Sequence, residues 1–317
     1  MALRVLVTGA SGFIGEALVT ALVASGHRVR AASRQRANFP SGRVEWVQLP
    51  DLRGAVEWSS LLANVDVVVH LAGIAHRNGV HGDAIDRVNR GAVAALAAAC
   101  QRHDVRRLIF MSSAGVHAGS TSKAAVIESH APDPVTAYDR AKIAAERAVE
   151  DSGAPYTILR PVVVYGAAAK ANFALAVRLA RLSLPLPFGA LEIRRSLLAI
   201  DNLIAAVIFC LDGEATLNQT FLVADPEAIT VSAMFLELRR GLGRQPCLVP
   251  VPPAFFERLL RIVGRPDIWG RIGQEFVVDS TKLQNAGFRP LVLTEEGLRA
   301  VGAFYRTRRR AGCSSGQ

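Results

Sequence analysis

Short β-branched runs alternate with longer stretches whose apolar residues recur every three or four positions. The run Arg-Val-Leu-Val-Thr at residues 4–8 reads as a buried strand, and residues 15–24 read as a helix stopped by Gly26. Residues 28–32, 44–49, 65–71 and 107–111 read as further strands, with a helix over 84–102 between the last two. A helix over 138–152 closes at Gly153, and a strand follows at 156–159. Strands that are apolar throughout, separated by helices, predict an α/β fold. Its core is a doubly wound parallel sheet covered on both faces.

The rhythm changes after Gly166. A helix is predicted over 172–182, then a constrained Leu-Pro-Leu-Pro-Phe-Gly loop at 184–189, a helix over 201–211 and a strand over 220–223. From residue 225 onward short helices and turns at Pro246, Pro250, Pro252, Pro253 and Pro266 dominate. This predicts a smaller C-terminal lobe interleaved with late pieces of the sheet. No internal repeat and no low-complexity linker occurs.

Composition narrows the class. Half of the 317 residues are apolar and 20% are charged, which predicts a substantial core and excludes a disordered chain. The net charge is +10, and thirty-three of the thirty-seven cations are arginine. Such an excess fits a nucleic acid, an anionic membrane or a small polyanion, or a simple Ala/Arg bias. The arginines are scattered except at 306–310, so no nucleic-acid face is expected. Residues 306–317 read as a basic flexible tail. Cys100, Cys210, Cys247 and Cys313 form no CxxC pair, which points to reduced thiols in a cytoplasmic protein, with no disulfide framework and no metal site. No apolar run approaches the roughly 20 residues of a membrane span. The first glycine turn, at Gly9, comes too early for a signal peptide.

That turn carries the first chemical signal. Thr8-Gly-Ala-Ser-Gly-Phe-Ile-Gly15 follows a strand and opens a helix. Glycines at 9, 12 and 15 allow a tight turn and close backbone approach, and the helix start offers free N–H groups to a pyrophosphate. Gly9, Ser11, Gly12, Phe13, Ile14 and Gly15 are therefore candidate cofactor residues. At the end of the second strand an acidic residue would take a ribose 2′-hydroxyl; here Ser33 and Arg34 stand instead. They suit a 2′-phosphate, which favours NADP(H) over NAD(H). Asp51 and Leu52 follow the third strand and are candidates to cover the adenine, or simply cap a helix.

Tyr138-Asp-Arg-Ala-Lys142 places a phenol and an ammonium four residues apart, on one helix face. A cation there is expected to lower the phenol pKa so that it exchanges a proton with an alcohol or carbonyl oxygen during hydride transfer. With only four lysines in the chain, this spacing is informative. Ser113 ends a strand 25 residues earlier and is the candidate to hold the reacting oxygen, with Ser112 as its rival.

The glycine loop, His70-Leu-Ala-Gly73, Asn89, Ser113, Tyr138/Lys142 and Arg160-Pro-Val-Val-Val-Tyr-Gly166 together resemble the extended short-chain dehydrogenase/reductase family, the nucleotide-sugar epimerase/dehydratase group. The resemblance covers residues 3 to 305. It implies a dinucleotide-binding Rossmann domain over 1–165 plus about 196–224, with a substrate lobe over 166–195 and 225–305. It implies that Leu71, Ala72 and Pro161 border the cofactor, that Asn89 steadies the catalytic helix region, and that Lys142 also holds the nicotinamide ribose. Lys170-Ala-Asn-Phe173 resembles the segment whose Asn binds the nucleotide diphosphate, implying Asn172. Leu186-Pro-Phe-Gly189 resembles the loop beside uracil, implying Phe188. The stretch led by Arg195, residues 195–203, resembles one whose leading Arg clamps the pyrophosphate, implying Arg195, with Arg194 able to share or replace the role. His117 is a candidate sugar contact.

Within the family the run from 170 to 197 is most similar to reductases of UDP-4-keto-6-deoxy-N-acetylhexosamine. The expected activity is thus NAD(P)-dependent 4-keto reduction of a UDP-sugar for surface polysaccharide. A UDP-sugar 4-epimerase is the alternative. A non-catalytic NADP sensor is a third reading, disfavoured by the intact Ser-Tyr-Lys set. The resemblance leaves room for a homodimer.

Overall fold

The computed structural model describes residues 2–314, apart from 38, 40–41, 75–81, 120, 123, 168–171, 263, 265–268 and 270–272. Side chains of 172 and 308–314 also lie outside the described set.

Seven strands form one parallel sheet: β1 (Arg4–Thr8), β2 (Arg28–Ser33), β3 (Val44–Gln48), β4 (Val67–His70), β5 (Arg107–Met111), β6 (Tyr156–Pro161) and β10 (Gln219–Val223). Their order is β10-β6-β5-β4-β1-β2-β3. The order reverses between β1 and β4, so a crevice opens at the carboxyl ends of those strands, where sheets of this kind bind ligands. The central strands are buried along their whole length, as their unbroken Val/Leu/Ile runs require. Two apolar clusters back the sheet, one per face. Helices α1 (Phe13–Ala24) and α7 (Ile200–Phe209) contribute to one. The other takes α2 (Ser59–Leu62) and α4 (Ala92–Arg102), with Ala145 and Val149 of α5 (Ala137–Glu150).

A third cluster marks the C-terminal lobe. It gathers α6 (Asn172–Ala180), α8 (Val231–Gly241), the loop at 186–191 and the helix Thr294–Ser314. Three short strands, β7 (Val163–Tyr165), β8 (Arg194–Arg195) and β9 (Leu197–Ala199), lead the chain in and out of this lobe. The Asp225 carboxylate joins the two parts: it accepts from Tyr165 Oη at 2.9 Å, Asn202 Nδ2 at 2.7 Å and the Ala199 N–H at 2.9 Å.

One sequence expectation changes here. The helix predicted over 84–102 is broken in character: Gly82–Asp86 (α3) is α-helical, Arg87–Gly91 is a π turn, and α4 follows. The helix Thr294–Ser314 runs on into the basic stretch, because arginine and alanine are strong helix formers. Among the described residues, no helix is long and apolar enough to cross a membrane.

Candidate active site

The glycine loop sits at the crevice. Gly9 has φ +73°, and a Cβ there would lie 2.9 Å from the Ala72 nitrogen; at Gly15 it would lie 2.3 Å from the Gly9 carbonyl oxygen. Only glycine lets this turn close against β4 and lets α1 start immediately after it. Ser11 and Gly12 stay exposed at the mouth, and α1 has no side-chain cap on its first N–H groups. That arrangement fits a dinucleotide pyrophosphate, which would take those free donors. Phe13 and Ile14 are half-buried behind it. Thr8 Oγ1 lies 2.9 Å from His70 Nδ1 and accepts from the Ala72 N–H at 3.3 Å, fixing the ends of β1 and β4 side by side. Leu71 and Ala72 follow directly, and Pro161 is buried at the end of β6.

The pair expected to take a 2′-phosphate is split. Ser33 is buried, donates to the Gln35 carbonyl at 2.7 Å and accepts from Trp46 Nε1 at 2.9 Å, so its hydroxyl serves β2 and β3 rather than a ligand. Arg34 is exposed. Asp51 is exposed and tied to Arg53 at 2.6 Å, and Arg53 holds its carboxyl down to about 2. Leu52 is buried beneath it.

Asn89 lies in the π turn. Its Oδ1 accepts from the Ile74 N–H and its Nδ2 donates to the Ile74 carbonyl, both at 2.8 Å. The extra residue of a π turn re-aims one side chain, and here it clamps the segment after β4. A Cβ on Gly73 would meet Asn89 Oδ1 at 2.9 Å and Lys142 Nζ at 3.9 Å, so the clamp also abuts the catalytic helix.

Helix α5 begins with a reciprocal cap between Thr136 and Asp139, which fixes where Tyr138 stands. Lys142 is buried. Its Nζ donates to the Met111 carbonyl at 2.7 Å and lies 4.7 Å from the Phe110 ring centroid and 5.8 Å from that of Tyr138. Burial lowers Lys142 to about 8, opposed by the Glu146 carboxylate. The expected lowering of the Tyr138 phenol is not found. Burial, with Asp139 adding to it, pushes the phenol above its ordinary value.

The rival serines stand differently. Ser112 is buried and donates to Glu146 Oε1, whereas Ser113 is half-buried, with Oγ accepting from the Gly115 N–H at 3.1 Å. Position 115 lies between Ser113 Oγ and the Asp139 carboxylate, so Ser113 faces the start of α5. His117, the candidate sugar contact, is buried and accepts from Arg160 Nη1 at 2.8 Å.

Glu146, Arg160 and Ser112 form a buried network that sequence reasoning missed. Arg160 Nε donates to both Glu146 oxygens, at 3.0 and 3.1 Å. The signal was present, because Glu146 stands four residues after Lys142 and eight after Tyr138, on the same helix face.

Of the substrate candidates, Arg195 is half-buried, donates to the Gln274 carbonyl at 2.7 Å and is lowered to about 10 by burial. Beside it lies a cleft lined by Thr121, Ser122, Gln274 and Glu275. Arg194 is exposed. Phe188 stacks on Phe235 at 4.3 Å and meets Phe256 at 5.7 Å, so packing claims much of its surface. Asn172 opens α6, but its side chain, like Lys170, lies outside the described residues. Among the described residues no group of His, Cys, Asp or Glu is placed to hold a metal.

The profile of the NAD dependent epimerase/dehydratase family matches residues 5–224. A UDP-glucose 4-epimerase of Vibrio cholerae is 31% identical over 315 residues, covering 95% of each chain. The N-acetyl-α-D-glucosaminyl-diphospho-ditrans,octacis-undecaprenol 4-epimerase of Escherichia coli O157:H7 is 25% identical, covering 93% of each. The fold also matches the solved UDP-glucuronic acid 4-epimerase of Bacillus cereus in complex with NAD, with a TM-score of 0.76 and 21% identity, covering 97% of this chain and 99% of that one.

Proposed function

The chain belongs to the NAD-dependent epimerase/dehydratase family of extended short-chain dehydrogenases/reductases, and from that premise we propose that it reduces the 4-keto group of a UDP-4-keto-6-deoxy-N-acetylhexosamine. The observation that carries this reading is the grouping of Tyr138 and Lys142 on one face of α5, with Lys142 Nζ 5.8 Å from the Tyr138 ring centroid and Ser113 facing the start of that helix. A phenol with a cationic neighbour and a hydroxyl beside it can give a proton to a carbonyl oxygen as hydride arrives. The exposed Arg34, with no acidic residue at the end of β2, supports NADPH as an exchangeable reductant.

When bound, the reduced nicotinamide supplies hydride to the C4 carbon. Tyr138 Oη donates the proton to the C4 oxygen, and Ser113 Oγ turns its own hydrogen toward that oxygen to orient it. Lys142, 5.8 Å from the ring centroid, gives the phenolate left behind a cationic neighbour. Asn89 and the Ser112–Glu146 contact keep the ends of β4 and β5 in register with α5. Arg195, and Asn172 from the start of α6, would receive the UDP diphosphate, with Phe188 beside the uracil.

A second reading, 4-epimerisation of a UDP-hexose, is favoured by the similarity to the UDP-glucose 4-epimerase of Vibrio cholerae. Incubation with UDP-4-keto-6-deoxy-N-acetylglucosamine and NADPH separates the two. The reductase oxidises one NADPH per sugar. Interconversion of UDP-glucose and UDP-galactose with no NADPH consumed would replace it by the epimerase.

A further inference from the structure

The 3₁₀ turn behind Ser113 is weakly held by its own bonds. Ser113 caps the turn Ala114–Val116 and His117 closes it. The Val116 N–H reaches the Ser113 carbonyl at 3.3 Å and the His117 N–H the Ala114 carbonyl at 3.2 Å, at the long end of the range for such bonds. Room around the turn is tight. A Cβ on Gly115 would lie 3.2 Å from Ser113 Oγ and 2.7 Å from the Asp139 carboxylate that caps α5. A small shift of the turn therefore changes where the Ser113 hydroxyl stands against the helix of Tyr138.

His117 anchors the turn from outside. Its carbonyl accepts from the Asp133 N–H at 3.0 Å, and its buried ring accepts from Arg160 Nη1 at 2.8 Å. A guanidinium only donates, so Nε2 is the acceptor and the imidazole is neutral. Burial, with the Arg160 charge adding to it, lowers His117 to about 4 and keeps it in that form. The other side of Arg160 is fixed as well: Nε donates to both Glu146 oxygens, at 3.0 and 3.1 Å. Glu146 belongs to α5, about one turn beyond Lys142 and two beyond Tyr138. The guanidinium is a rigid planar fork, so seating Nε and Nη2 on Glu146 also fixes where Nη1 points. One buried arginine thus ties the turn of Ser113 to the helix of Tyr138 and Lys142, through residues that take no part in the proton transfer.

We propose that His117 is a positioning residue: by accepting from Arg160 it sets the 3₁₀ turn, and with it the place of Ser113 Oγ relative to Tyr138. The proposal rests on the reading of Ser113 as the group that orients the reacting oxygen, a role common to reduction and epimerisation. A hydroxyl that has drifted from its place still lets the sugar bind, but it costs turnover, because the reacting oxygen is no longer aligned with the phenol.

His117→Leu removes the acceptor, and His117→Gln restores one near the place of Nε2. If His117→Leu does not fold, His117→Asn, whose amide stops short of the guanidinium, takes its place. Hydrogen exchange read by mass spectrometry needs no substrate. In His117→Leu the amides of residues 113–119 exchange roughly tenfold or more faster while those of α5 keep wild-type rates, and His117→Gln restores the protection. Turnover is followed with the 4-keto sugar and NADPH, or with UDP-glucose if the enzyme proves to be the epimerase. In His117→Leu kcat falls about tenfold or more with KM and NADPH binding within about twofold, and His117→Gln recovers most of it. In a Ser113→Ala background the same substitution costs nothing further, because its effect passes through Ser113. Wild-type exchange in His117→Leu would overturn the proposal. So would a kcat loss that adds in full to that of Ser113→Ala, or faster exchange spread over α5 with NADPH binding lost, either of which would leave His117 a packing residue. Ser113→Ala with wild-type turnover would overturn the reading of Ser113, and the proposal with it, even where exchange behaves as expected.

Discussion

Glu146→Gln isolates the buried network behind the catalytic set. Glu146 is 1% exposed and receives Ser112 Oγ and three contacts from Arg160, itself 6% exposed. Removing the carboxylate leaves the Arg160 guanidinium buried without its counter-ion, which costs about 3–5 kcal/mol. Urea denaturation should show a loss of that size. A double variant, Glu146→Leu/Arg160→Met, removes both charges and should recover at least half of it, because buried ion pairs are often replaceable by apolar packing. The same substitution also removes the charge that opposes the fall of the Lys142 pKa. Lys142 loses its proton as pH rises through about 8, so activity that needs the cation declines on the alkaline side there. In Glu146→Gln that decline moves to lower pH. A variant with wild-type stability and an unmoved alkaline limb would refute both the ion-pair argument and the coupling to Lys142.

Three further outcomes follow. Burial lowers His70 to about 3 and His117 to about 4 from an ordinary 6.5, so both are neutral in the fold and protonate on unfolding. Stability is then full above about pH 6.5 and falls as pH drops toward 4, by roughly 3 kcal/mol per histidine, and His117→Gln should flatten that slope in denaturation series. Tyr138→Phe should lower turnover by about 10² or more with NADPH binding retained, and a variant that keeps its rate would remove the proton-donor role. Arg34→Asp should shift the kcat/KM ratio from NADPH toward NADH, and an unchanged ratio would detach Arg34 from the cofactor.

The parallel sheet was legible because each buried strand is an unbroken apolar run and each helix start or stop carries its own signal: Gly26, Gly153, and the loop at Gly9. Tyr138 and Lys142 were legible from a four-residue spacing in a chain with few lysines. What escaped depends on partners distant in sequence. Ser33 looks like a free donor until Trp46 and the Gln35 carbonyl are seen around it. His117 looks like an uncommitted side chain until Arg160 is found against its ring. The Tyr138 pKa follows from desolvation and the neighbouring Asp139 charge, and the four-residue Tyr-Lys spacing encodes neither. The π turn at Asn89 likewise follows from its two bonds to Ile74 across a turn that no local pattern marks.

The direct test of the central assignment, an exchangeable reductant delivering hydride to C4 while Tyr138 delivers the proton, is isotope transfer. The enzyme is given UDP-4-keto-6-deoxy-N-acetylglucosamine and NADPH carrying deuterium at the transferable position, and the product is read by mass spectrometry. The account predicts a single deuterium at C4 of the reduced sugar, with Tyr138→Phe forming the same labelled product about 10² more slowly. Product or epimer free of deuterium, with the labelled NADPH unconsumed, would contradict it.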